Sequence, residues 1–229
     1  MTLPLILTWI VAISSTTMFG SWYARRYDRS DALIALYVGF VLFSNIAAVK
    51  IASYDLGFET FFAPAAALIF PVTFLLTDIV NERFGRVETH RMIFLAFASQ
   101  VVVAIFAYLT LSLPGAPFWA NEDSFKLIIG QVPRIMAAGW IAFLISENLD
   151  AYVFSWFKNY TQGRHLWARN VFSSFPAMVL DSVIFATIAF LGVLPIWPLI
   201  LGVTVTKWLV GLVNIPFMYL NRSIMNRQI

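Results

Sequence analysis

The chain has 229 residues, 60% of them hydrophobic, 17% aromatic and 12% charged, with a formal net charge of +3 and a mean hydropathy of +0.80. Soluble domains average about 45–50% apolar and about 25% charged residues, so this composition marks a polytopic membrane protein built as one bundle, with no hydrophilic stretch long enough for a separate soluble domain. The lack of cysteine excludes disulfides and thiol chemistry, and the two histidines, His90 and His165, fall in predicted loops where they offer no zinc or haem site.

A spanning helix needs about 20 mainly apolar residues. Seven stretches qualify: 3–23, 31–52, 60–80, 91–113, 132–157, 170–192 and 197–220. The first lacks a basic region ahead of it and is followed by Arg25, Arg26 and Arg29. That pattern suits an uncleaved anchor, spanning or lying at the surface, better than a signal peptide. Cations then alternate from loop to loop. Arg83, Arg86 and Arg91 follow the third span, Lys158, Arg164 and Arg169 the fifth, and Arg222 and Arg227 the seventh. The opposite loops hold Asp55 and Glu59, then Glu122, Asp123 and one lysine, Lys126. By the positive-inside rule the arginine-rich set is cytoplasmic, which predicts an N-terminus outside and a C-terminus inside a cell (inner) membrane. The net charge is a topological signal, and nucleic acid is not an expected partner. Between Pro114 and Pro133, residues 125–129 are placed as a short helix on the surface. The expected organisation is an all-α transmembrane bundle: an N-terminal helix and basic loop over 1–30, a six-helix core over 31–221, and a tail over 222–229.

Ionisable residues inside the spans carry the functional signal. Asp78 lies near the inner end of the third span with Asn81 and Glu82, Glu147 and Asp150 lie in the fifth, Asp181 in the sixth and Lys207 in the seventh. Asp78 and Glu82 are four apart, so on a helix their carboxylates share a face. Each charge at a helix centre costs about 2.5–3.5 kcal/mol, so five unpaired would cost about 12–17 kcal/mol, more than most domains can tolerate. They must pair or surround a polar cavity. Polar stripes support the cavity: Thr204, Lys207, Gly211 and Asn214 recur at spacings of three and four, as do Ser174, Ala177 and Asp181. The plainer alternatives stay open at this level. In these alternatives Lys207 neutralises Asp181 or Asp150 in a structural pair, Asp78 and Glu82 bridge to Arg83, Arg86 or Arg91, and Ser44 and Asn45 join helices rather than touch a ligand. Lys50, near the outer end of the second span, and Arg134, at the start of the fifth, fit snorkelling cations. Pro71, Pro176 and Pro216 fall inside spans, where each kinks its helix for packing or to free carbonyls for a cavity. A short echo, Phe74-Leu-Leu-Thr-Asp78 against Phe143-Leu-Ile-Ser-Glu147, is too brief to establish a repeat. No phosphate loop, metal-spaced histidine pair or nucleophile elbow is present, and no enzyme activity or cofactor is expected.

Ser44-Asn45-Ile46 with Lys50, Phe70-Pro71, Thr77-Asp78, Asn81-Glu82, Phe84-Gly85 and Arg91 resemble the queuosine precursor transporter family. So do Leu149-Asp150, Leu166-Trp167, Arg169-Asn170, Ser173-Ser174, Asp181-Ser182, Lys207 and Pro216 with Tyr219, over residues 31–221 in one order. The pattern departs at Glu147, where the family favours glutamine, at Ala177-Met178, where Ser-Gln is common, and at Asn214, where an acid is frequent. The resemblance implies uptake of a small planar base, 7-cyano-7-deazaguanine or a related 7-deazaguanine, across a lipid membrane. It implies substrate contacts among Asn45, Glu147, Asp150, Asp181, Lys207 and Asn214, and a gate or coupling role for Lys50, Asp78 and Glu82. A homo-oligomer is compatible with it. The alternative is a substrate-capturing subunit similar to energy-coupling-factor S-components.

Overall fold

A computed structural model describes residues 3–55, 59–160 and 166–209. Helix α1 runs Leu3–Tyr27 and α2 runs Asp31–Ala47. Two antiparallel strands follow, β1 (Ile51–Asp55) and β2 (Thr60–Pro64), paired from Ile51↔Pro64 to Asp55↔Thr60. A 3₁₀ turn at Ala65–Leu68 leads into α3 (Phe70–Ser112), then a short α4 (Glu122–Ile129), α5 (Val132–Tyr160), α6 (Leu166–Phe190) and α7 (Ile196–Leu209). By length and composition Pro4–Tyr27, Pro71–Ser112 and Glu122–Ser146 can each cross a membrane, and Asp31–Ala47, Phe175–Phe190 and Ile196–Leu209 are shorter apolar helices. The all-α bundle expected from composition is the observed architecture, and the short helix expected over 125–129 is α4, with no buried residue.

Two predicted spans are corrected. Residues 31–52 and 60–80 are not continuous helices, because α2 stops at Ala47 and the hairpin occupies 51–64. The hairpin is apolar enough to pass for the end of either span. Its own residues, Tyr54, Phe61 and Phe62 among them, are strand formers, and Pro64 cannot extend a helix backwards. The ladder continues beyond the strands, where Ala65 N–H donates to the Lys50 carbonyl at 2.8 Å. One face of the hairpin is covered by α7. A Cβ built on Gly202 would sit 1.8 Å from the Phe62 carbonyl oxygen, so only glycine lets that helix approach the strand backbone so closely.

Helix α3 is two helices. Gly85 has φ 80° and ψ 179°, a backbone state that is open to glycine and strained for other residues. Thr73 and Gln100 line a common cavity although a straight helix would hold them about 40 Å apart at 1.5 Å per residue. The chain therefore folds back at Gly85. α2 lies along the ascending half: Ser30, just before α2, hydrogen-bonds Glu88, and Asn45 near its end bonds Gln100 at 3.0 Å. The Ser30 hydroxyl is thus occupied by Glu88 and makes no cap to its own helix, which instead has Asp31 in its first turn, favourable to the helix dipole. Around this corner Arg83 pairs with Asp28 at 3.0 Å and Arg91 with Glu88 at 3.1 Å.

One apolar cluster joins α1, α2 and both halves of α3, with Ile13, Leu33, Leu75, Leu76, Ile79 and Met92 all buried. A second joins α5, α6 and α7 to the end of α2 through Ile135, Ala138, Ala186, Phe190, Leu199 and Ala48. A third seats the hairpin, through Tyr54 and Ala63, on Val203 of α7. Many large apolar side chains remain exposed on the outside, among them Phe94, Phe106, Leu144 and Leu201, as a lipid-facing surface requires. Arg134 donates from Nε to the Ile188 carbonyl at 2.7 Å and from a terminal guanidinium nitrogen to the Leu191 carbonyl at 2.8 Å. It closes the C-terminal end of α6, where a cation also opposes the helix dipole.

Candidate functional site

A cavity of about 280 Å³ lies where the two helix groups meet. It falls near the lower limit of ligand pockets, about 300–1,000 Å³. One wall comes from α2 and α3, with Tyr37, Ser44, Asn45, Thr73 and Gln100. The facing wall comes from α5, α6 and α7, with Trp140, Phe143, Asp181, Phe185, Thr206 and Lys207. Ala63 and Pro64 of β2 and Ala66 and Ala67 of the 3₁₀ turn complete it. Small residues at the turn keep the space open, while the aromatic rings offer flat faces on which a ring-shaped ligand can stack.

Lys207 and Asp181 form an ion pair in the second wall. The single Ser146 hydroxyl hydrogen has two acceptors within reach, Asp181 Oδ1 at 3.3 Å and the Phe143 carbonyl at 3.2 Å. Asp181 lies well inside α6 and Lys207 in the last described turn of α7, and each side chain is only about a fifth exposed. Pairing lowers the penalty for burying both, and their exposed parts present an anionic acceptor beside a cationic donor. Thr206 turns back to its own helix, with its hydroxyl on the Gly202 carbonyl at 2.6 Å.

On the first wall Asn45 donates to the Val41 carbonyl at 2.8 Å and to Gln100 Oε1 at 3.0 Å. Asn45 therefore does both things left open by its sequence: it ties α2 to α3, and it lines the cavity. Trp140 stacks at a tilt against Phe97, centroids 4.6 Å apart, and its indole nitrogen is buried without an acceptor among the described residues.

Of the residues singled out from sequence, Asn45, Asp181 and Lys207 come together here. Glu147 and Asp150 sit on α5, but their side chains lie outside the described part of the structure, and Asn214 lies outside the described residues altogether. Lys50 is exposed in the turn between α2 and β1, away from the cavity lining. Asp78, half-buried, and Glu82, exposed, lie on the descending half of α3 between the cavity and the Gly85 corner. The ion pairs of Arg83 and Arg91 go to Asp28 and Glu88, so the alternative in which those two arginines bridge to Asp78 and Glu82 is not the pairing formed. Gln100, Trp140, Tyr37 and Thr206 were not anticipated. Gln100 had a signal that went unused: it is the one amide in the apolar run 92–112.

The model of the family described as "Putative vitamin uptake transporter" matches residues 64–221. The chain is 28% identical over 156 residues to a protein of Bacillus subtilis (strain 168) named "Probable queuosine precursor transporter", covering 66% of this chain and 68% of that one. It is also 28% identical over 157 residues to the "Queuosine precursor transporter" of Escherichia coli (strain K12), covering 69% of this chain and 67% of the relative. No solved structure matches the chain.

Proposed function

The chain belongs to this family of vitamin-uptake transporters, and on that premise we propose that it imports a queuosine precursor, a 7-deazaguanine base such as 7-cyano-7-deazaguanine. A multi-pass membrane transporter, not an enzyme, is what family membership and the apolar helices make it. The substrate is drawn from the names of the two relatives and from the chemistry of the cavity.

The observation that supports it best is the Asp181–Lys207 pair in an aromatic-lined cavity. A guanine-type edge places a carbonyl acceptor beside an N1–H and a 2-amino donor. A carboxylate accepts the two donors together, and the adjoining ammonium meets the carbonyl. The same two residues thereby neutralise one another before the base arrives and recognise it afterwards. Residues 31–221 would form the transporting core, with α1 as an addition packed on its side. Glu147, Asp150 and Asn214 are further candidates for the substrate site, and Lys50, Asp78 and Glu82 for gating or coupling. The arginine-rich corner at Gly85 would face the cytoplasm of a cell inner membrane, with the hairpin and the N-terminus outside. Nothing favours the substrate-capturing S-component alternative.

The test is complementation. Cells able neither to make nor to import the precursor would receive the chain and a supply of candidate bases, and tRNA would be assayed for the modified nucleoside. Restored modification is the expected result, and none with any 7-deazaguanine would sink the reading. Asp181→Asn should lower uptake of labelled base by at least about tenfold, the scale of one charge-assisted contact. Unchanged uptake at normal expression would remove Asp181 from the site.

A further inference from the structure

Gln100 is 7% and Asn45 9% exposed, and both line the cavity. Their amide orientations are fixed by the backbone rather than by choice. The Val41 carbonyl can only accept, so the Asn45 nitrogen must face it, and the same nitrogen then donates to Gln100. Gln100 must therefore turn its oxygen towards Asn45. Its nitrogen is left with two N–H donors that meet no acceptor among the described residues, and it is not among the polar atoms sealed from solvent. A buried amide with a locked carbonyl and free donors at a cavity wall is aimed at something that accepts.

We propose that Gln100, held by Asn45, is the specificity-determining residue of this transporter: its amide N–H groups donate to an acceptor substituent on the five-membered-ring side of the base, so the site selects a nitrile-bearing, neutral base over one with a cationic aminomethyl arm. The inference rests on the 7-deazaguanine reading above. It follows from the placement of the two polar walls. Asp181 and Lys207, on α6 and α7, take the donor–acceptor edge of the six-membered ring, so the α2–α3 wall meets the remainder of the bicycle. An amide nitrogen satisfies a nitrile lone pair there. An ammonium arm would point donors at donors and lose its water without replacement.

Gln100→Leu removes the donors, and Gln100→Glu replaces them with an anionic acceptor. Both variants and the unaltered chain would be expressed in cells without their own uptake, and import of labelled 7-cyano- and 7-aminomethyl-7-deazaguanine measured side by side. The preference is a ratio within one protein, so differences in folded amount cancel. The unaltered chain should favour the cyano base. Gln100→Leu should reduce that preference about tenfold, and Gln100→Glu should reverse it in favour of the aminomethyl base. An unaltered preference in both variants overturns the role of Gln100 while leaving the 7-deazaguanine reading intact. Import of neither base by the unaltered chain overturns the reading, and this inference with it.

Discussion

Asp181 and Lys207 are each other's nearest compensation for leaving water, and that makes their contributions to stability and to transport separable. Removing one partner strands the other charge in a cavity wall, which typically costs about 3–5 kcal/mol. Removing both leaves no charge to strand. Lys207→Met should therefore lower thermal stability in detergent markedly, and the double variant Asp181→Asn with Lys207→Met should recover most of it. Transport should be lost in both. A double variant that regains stability and also uptake would show the pair to be structural only. The residue scale also explains why Gln100 is hard to single out in the sequence. Intramembrane charges draw notice because each is expensive, whereas an amide such as Gln100 costs less and stands out less, yet once buried it needs a partner almost as much.

At the scale of elements, the hairpin and the Gly85 corner place the site. The hairpin ends α2 at Ala47 and brings Ala63, expected in a helix over 60–80, to the cavity wall as part of β2. Hydropathy could not reveal it, since a buried strand and a helix end are equally apolar over so few residues. The corner was visible as a break between two spans, but not its sharpness: a single residue turns the chain, with helix on both sides. A Cβ at Gly85 would touch nothing within 4 Å, so the expected effect of Gly85→Ala is conformational alone. It should destabilise the protein by about 1–3 kcal/mol, read as a lower unfolding temperature in detergent, with the affinity for substrate retained. A variant as stable as the parent would mean that the corner relaxes without strain. Phe74 and Phe143, which open the two short similar stretches, both line the cavity.

For the whole molecule, the two larger apolar clusters flank one cavity that holds an ion pair, an arrangement suited to alternating access by movement of one group against the other. The lack of cysteine makes its orientation easy to test, because any introduced thiol is read without background. A single cysteine at Arg86, beside the corner, should resist a membrane-impermeant maleimide in intact cells and react after permeabilisation. A single cysteine at Glu59, before β2, should react in intact cells. The opposite result at both positions would invert the proposed topology.

Composition alone determined that the chain lives in a membrane as a helical bundle, because 12% charge cannot solvate a globular surface. The ends of the apolar runs located the turn before α2 and the break at Gly85, since hydropathy is read from local stretches of sequence. The cost of isolated charges picked out Asp181 and Lys207 before any partner was known. Only the tertiary structure decided which of the candidates pair, because pairing depends on how α6 and α7 are rotated against each other. The same holds for Asn45 and Gln100, 55 residues apart in the chain. They meet because Gly85 turns the second half of α3 back along α2, a long-range consequence of one residue's backbone that no local pattern records.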